Sequence, residues 1–247
     1  MIYGPKIVTS GLILALDAGD KASYSGTGAT WNDLSGNGNH ATIYNSPTWN
    51  AAGYFVLNGT NNYINTTNAL NLSSYNKVTV VITFKPNTYP GSGTPKCLFE
   101  LTNNFNNFST GFTSFYNDNS GVGSGAVFDI STAIKGNVGY NIGYWNKSNY
   151  NDLGWKNVTY LFDTSQSSTE SLLYVQGSSA TATENPNPSY ASNNSNNFAN
   201  DNFYVGARGG SSYFNDINLS SVLIYNKVLT NAEISQNYNA SKGRFGI

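Results

Sequence analysis

Short runs of β-branched and aromatic residues, each closed within a few positions by Gly, Asn, Ser or Pro, recur along the 247-residue chain. "LILALDA", "YFVLN", "NYINT", "KVTVVITFKP", "CLFELT", "GAVFDIS", "VTYLFDT", "SLLYVQG", "NFYVGA" and "SSVLIYN" all have the length and residue types of strands. In an extended chain Val78, Val80, Ile82 and Phe84 point one way, and Thr79, Val81 and Thr83 point the other. Ten such runs at close spacing predict an all-β, antiparallel two-sheet sandwich.

Composition supports a turn-rich β protein of low charge. Charged residues make up 10% of the chain, against a usual figure of about 25%. Solubility therefore rests on neutral polar groups, chiefly 39 asparagines, which suit turns because the amide bonds nearby backbone and tolerates positive φ. A net charge of −1 supplies no field for a phosphate backbone, so nucleic acid is not an expected partner. Cys97 is alone and makes no internal disulfide. The apolar run Leu12 to Leu16 is too short to span a membrane, and the N-terminus lacks a signal peptide's pattern. Neither membrane insertion nor export is expected.

One helix is predicted, within "VLTNAEISQNYNASKG". Thr230 is its N-cap, Glu233 completes a capping box, and Leu229 can staple to Ile234. Ile234 and Tyr238, four apart, are expected to share its buried face. Trp155 is expected in the core. Residues 178–202 read as a long surface loop carrying an irregular edge strand, with a cleavable interdomain linker as the alternative. The expected organisation is an N-terminal arm, 1–10, followed by one domain, 11–247, with Met1 to Val8 of the arm available to a partner protein.

In order, these pieces resemble the laminin-G-like jelly-roll modules of the concanavalin A-like lectin and glucanase superfamily. "WNDLSGNGNHATI" is similar to the family's D-x-S-G-N-G-N-H-G-T segment, carrying Asp33, Ser35, Asn37, Asn39 and His40, with Ala41 replacing Gly. "YFVLNGTNNYINT" resembles the next strand pair, with Asn58 and Asn62 replacing both acids. "WKNVTYLFD" with "LLYVQG", and "YVGARGGSSYFNDINLSSVLIYNKVLTNAEISQNYNA", resemble the later patterns. The resemblance spans residues 10–243 and implies a jelly roll with one short C-terminal helix. The opening "GLILALDAGDKASY" and the ending "NYNASKGRFGI" resemble versions in tailed-bacteriophage structural proteins.

Glycosidases of that superfamily carry E-x-D-x-x-E on one strand, since the acid and nucleophile of a retaining enzyme flank the bond about 5 to 5.5 Å apart. Glu100, Glu170, Glu184 and Glu233 stand alone instead, so no catalytic residue is assigned. His40, the single histidine, reads as turn chemistry. No cofactor or metal is expected, although calcium held by some of Asp17, Asp33, Asp201 and Asp216 is an alternative; Ser220 and Ser221 replace the family's acidic pair. Glycan binding needs only aromatic faces and neutral polar groups, and Tyr144, Trp145, Asn146 and Tyr150 are the candidates if they lie on an exposed loop. Packing on the sandwich or on a neighbouring subunit is the other reading of these residues.

The expected function is therefore a non-enzymatic virion structural protein of a tailed bacteriophage, decorating the capsid or belonging to a tail or fibre. Its expected partners are other virion proteins and host-surface glycans, and it would be made in the host cytoplasm and carried in the virion. A soluble lectin and a glycoside hydrolase with atypical carboxylates are the alternatives.

Overall fold

The computed structural model describes residues 6–88, 95–101, 110–118, 128–135, 140–146, 153–166, 170–179 and 197–247. Strands are numbered from the N-terminus. The first sheet runs β15 (Ser178–Ser179), β14 (Ser171–Val175), β13 (Lys156–Asp163), β8 (Lys77–Pro86), β18 (Ile217–Tyr225), β5 (Tyr54–Val56), β4 (Thr48–Asn50). Strand β1 (Leu12–Asp17) also pairs with β18, beside β5. The second sheet runs β12 (Tyr140–Asn146), β11 (Phe128–Lys135), β10 (Gly111–Asp118), β9 (Lys96–Leu101), β17 (Phe203–Val205), β6 (Tyr63–Thr66), β3 (Ala41–Tyr44), β2 (Thr30–Trp31). A small ribbon pairs β7 (Leu70–Asn71) with β16 (Asn200–Asp201). Every pairing is antiparallel, as predicted.

The core lies between the sheets and follows the alternation. Val78, Val80, Ile82 and Phe84 of β8 meet Phe99, Phe112 and Phe203 across it. Tyr160 sets its ring edge-on to Phe99 at 4.8 Å, and Phe162 stacks on Phe112 at 4.7 Å. Each such side chain contributes about 1.5–3 kcal/mol through burial. The opposite face of β8 is covered as well: Val81 packs with Leu161, Tyr225, Leu229 and Ile234 under helix α1 (Asn231–Ser241). Thr79 Oγ1 donates to the Lys227 carbonyl and accepts from Leu229 N–H, tying the segment before the helix to that face.

The helix begins as expected. Glu233 N–H donates to Thr230 Oγ1, Glu233 Oε2 accepts from Thr230 N–H, and Lys227 Nζ reaches Glu233 at 2.6 Å. Lys227 and the cap hydrogen bonds hold the Glu233 carboxyl below its ordinary range. The buried pair on the helix is Ile234 with Asn237, while Tyr238 is only half-buried. The reason is a polar contact: Asn237 Oδ1 accepts from Val8 N–H at 2.9 Å. Val8 is buried there and Gln236 donates to the Lys6 carbonyl, so Lys6–Val8 of the expected arm lie on the chain's own helix. Residues 1–5 lie outside the described residues.

Trp155 is half-buried rather than in the core, because it precedes β13 at the sheet's end. Its ring stacks on Phe245 at 3.6 Å and meets Tyr54 edge-on. Of the expected loop at 178–202, residues 180–196 lie outside the described residues. Before β16, Phe198 enters the core at 2% exposure.

The glycine and asparagine turn after Trp31 finishes the open edge of β1. Asp33 Oδ1 accepts from Ala15 N–H at 2.8 Å and Ser35 N–H at 2.9 Å, and its Oδ2 accepts from Asn39 N–H and Ser35 Oγ. Asn39 Nδ2 donates to the Ile13 carbonyl, Asn37 Nδ2 donates to the Leu12 carbonyl, and Leu34 N–H donates to the Ala15 carbonyl. His40 Nδ1 accepts from Asp33 N–H at 3.1 Å, tying the ring into the turn. Asp33→Ala is expected to cost about 2–4 kcal/mol in urea unfolding, since several N–H groups lose a charged acceptor. Thr230→Ala is expected to cost about 1 kcal/mol by the same measurement.

Candidate functional site

Helix α1 covers part of the outer face of the first sheet, whereas the outer face of the second sheet gathers aromatic and polar side chains. Strand register puts Thr42, Asn65, Tyr204, Glu100, Thr113 and Ala133 in one row across β3, β6, β17, β9, β10 and β11. Two residues along, Tyr44 pairs with Tyr63, and their rings stack at 4.4 Å with planes 6° apart. Tyr204 and Phe214 each lie 6.4 Å from the Tyr63 ring, and all four aromatics are half-exposed. Burial, with Tyr44 and Tyr204 alongside, raises the Tyr63 phenol above its ordinary range.

The loop after β17 folds over this face. Arg208 N–H donates to the Ser212 carbonyl, closing a tight turn through Gly209 and Gly210. Gly210 has φ +69°, and a Cβ there would come within 2.8 Å of the Tyr63 ring, so this close approach requires glycine. The turn brings the Arg208 guanidinium to 5.9 Å from the Tyr213 ring centre and 3.4 Å from Glu100 Oε2. Tyr213 meets Phe115 edge-on at 5.7 Å.

Glu100 lies under this group at 1% exposure. Burial pushes its carboxyl up to about 7; Arg208 pulls it down and Asp201 adds to the rise. Asn65, itself buried, has no hydrogen-bond partner for its Oδ1 among the described residues. The face thus offers flat aromatic surfaces and a part-exposed guanidinium, groups that suit a sugar's C–H faces and hydroxyls, above the buried Asn65 amide.

The sequence-predicted residues fall at one end of the same sheet. Tyr144, Trp145 and Asn146 lie on strand β12 rather than on a loop. "YNIGYWN" mixes turn residues into a strand, and only its pairing with β11 reveals it. Tyr144 is opposite Ser131, which is opposite Phe115, whereas Trp145 is opposite the core residue Ile130. Tyr150 lies outside the described residues. Tyr63, Tyr204, Arg208 and Tyr213 were not singled out from sequence; the available signal was the outward half of the alternation in "NYINT" and "NFYVGA".

The four aspartates considered for calcium are occupied in different places. Arg244 holds Asp17 with two contacts, Asp33 serves the turn, Asn87 donates to Asp216, and Asp201 lies near Glu100. Among the described residues no group of three or more His, Cys, Asp or Glu is gathered to hold a metal ion. Cys97 is buried, and that burial raises its thiol well above the ordinary range.

Glu100 makes stability depend on pH with a definite sign. The folded chain keeps its proton up to about pH 7, while the ordinary carboxyl releases it near 4.5. Stability gained from this group is full below 4.5 and is lost as the pH rises to 7, a change of roughly 3 kcal/mol. Glu100→Gln is expected to flatten that part of the stability profile and to raise the thermal midpoint at pH 8.

Comparison with known structures finds the same fold in sugar- and receptor-binding proteins. The binding domain of botulinum neurotoxin serotype D superposes with a TM-score of 0.65 at 13% identity, covering 95% of this chain and 53% of that one. The serotype D ligand-binding domain in complex with N-acetylneuraminic acid gives 0.63 at 13% identity, over 95% and 52%. Trypanosoma rangeli sialidase in complex with the inhibitor DANA gives 0.59 at 15% identity, over 98% and 34%. The chain therefore spans about half of the toxin domains and about a third of the sialidase. No curated protein matches it by sequence. The Laminin_G_3 family profile, described as concanavalin A-like lectin/glucanases superfamily, matches residues 58–235. The chain belongs to that family.

Proposed function

We propose that this chain is a non-catalytic carbohydrate-binding module carried on a tailed-bacteriophage particle, as a capsid-decoration or tail and fibre component that meets host-surface glycans. The observation that carries the binding reading is the outer face of the second sheet. Its stacked Tyr44 and Tyr63, with Tyr204 and Phe214, lie half-exposed on the same face as the part-exposed Arg208 and Thr42. Aromatic faces take the apolar side of a sugar ring, and the polar groups take its hydroxyls. Structural neighbours crystallised with sialic acid or a sialidase inhibitor are consistent with this use of the scaffold.

The non-catalytic reading is supported by where the glutamates lie. Glu100 and Glu170 are buried at 1% and 2% exposure, and Glu233 belongs to the helix cap. Glu184 lies outside the described residues. Glycoside hydrolysis needs two carboxyl groups flanking an accessible bond, and the buried Glu100 is turned toward Arg208. The virion setting is supported by the resemblance of the chain's opening and closing segments to phage structural proteins.

A glycan array followed by titration calorimetry tests the binding reading. Tyr204→Ala and Tyr63→Ala are each expected to weaken the best glycan tenfold or more, about 1.4 kcal/mol, with folding retained. Absence of any glycan binding, or binding indifferent to both variants, would overturn it. Reducing-sugar release from a bound glycan would overturn the non-catalytic reading. Mass spectrometry of purified particles is expected to find the protein, and its absence would remove the virion setting.

A further inference from the structure

A cleft of about 440 Å³ lies on the far side of the molecule from the aromatic face, between helix α1 and the outer surface of the first sheet. Its apolar lining includes Val81 of β8, Leu223 of β18 and Ala240 of α1. Lys6–Val8 and Phe245 bound it from the two chain ends: Lys6, Ile7 and Phe245 line it, and Val8 anchors the first segment to the helix. The volume is in the range of small-molecule sites, roughly 300–1,000 Å³.

Among the buried polar side chains that line the cleft, one atom lacks a hydrogen-bond partner. Asn157 Nδ2 donates to Thr83 Oγ1 and Ser241 Oγ, while Ser241 Oγ donates to the Asn237 carbonyl. Asn237 lines the cleft at 1% exposure, and its Oδ1 is taken by Val8 N–H, which fixes the orientation of the amide. Its Nδ2 has no hydrogen-bond partner among the described residues. A buried donor left in that condition costs about 1–3 kcal/mol, and an acceptor brought to it recovers that cost. The ionisable lining residues, Lys6, Arg244, Asp17 and Asp20, sum to zero charge, and Arg244 is already held by Asp17.

We infer that this cleft is a binding site for a compact neutral molecule with an apolar body and one carbonyl or hydroxyl acceptor, which takes its hydrogen bond from Asn237 Nδ2. The site is separate from the proposed glycan face and does not depend on it.

Prodan, a neutral naphthalene bearing a propionyl ketone, is the probe. Titration of the full chain is expected to give saturable, blue-shifted emission at one prodan per chain. Dimethylaminonaphthalene, which lacks the ketone, is expected to bind at least tenfold more weakly. Ala240→Trp is expected to weaken prodan at least tenfold, with the thermal midpoint retained, and Tyr204→Ala is expected to leave it unchanged. If Ala240→Trp fails to fold, Leu223→Phe is read in the same way. Amide resonance shifts on adding prodan are expected on β8, β18 and α1. Absence of saturable binding, equal affinity without the ketone, insensitivity to a folded cleft-filling variant, or shifts centred on the second sheet would each overturn the inference.

Discussion

The Asp33 carboxylate holds together the part of the fold that would otherwise end in an open sheet edge. Among the described residues, strand β1 has a paired strand only on the β18 side. Its other edge is completed by the turn that Asp33 organises, with Asn37, Asn39 and Leu34 supplying donors where another strand would supply backbone. An unpaired edge invites association with another chain, and a side-chain border avoids it without adding a strand. The stretch that looks most like catalytic equipment, an acid, a histidine and spaced glycines, is thus occupied with backbone. Its carboxylate is spent on four backbone and hydroxyl donors.

With β1 secured, the two sheets have different outer faces. The first is partly covered by α1, because the outward residues of β8 and β13 include Val81 and Leu161 and need an apolar partner. The second keeps polar and aromatic residues outward, including a carboxyl whose burial raises it to about 7. A buried acid paired with one guanidinium is not a stabilising choice, since desolvation opposes the ion pair. The low overall charge of the chain gives local contacts such as Arg208 with Glu100 little competition from a long-range field.

Much of the architecture was readable because it depends on local rules. Alternation in "KVTVVITFKP" told which residues enter the core, and the Thr230 and Glu233 spacing located the helix start. The misreadings share one cause: partners distant in sequence. "YNIGYWN" becomes a strand only because β11 lies beside it. Tyr238 yields the buried helix position to Asn237 because Val8, 229 residues away, presents an N–H there. Trp155 leaves the core because Phe245 offers it a stacking surface at the sheet's end.

Sequence alone determined the all-β class, the antiparallel pairing, the capped helix and the turn signature, since each follows from backbone propensity and periodicity over a few residues. Tertiary structure decided which outward residues become a surface. Tyr44, Tyr63, Tyr204 and Phe214 come from three strands and a loop spread over 171 positions. Nothing local in the chain encodes their meeting; it arises from strand order, which is set by how the two sheets close around one core.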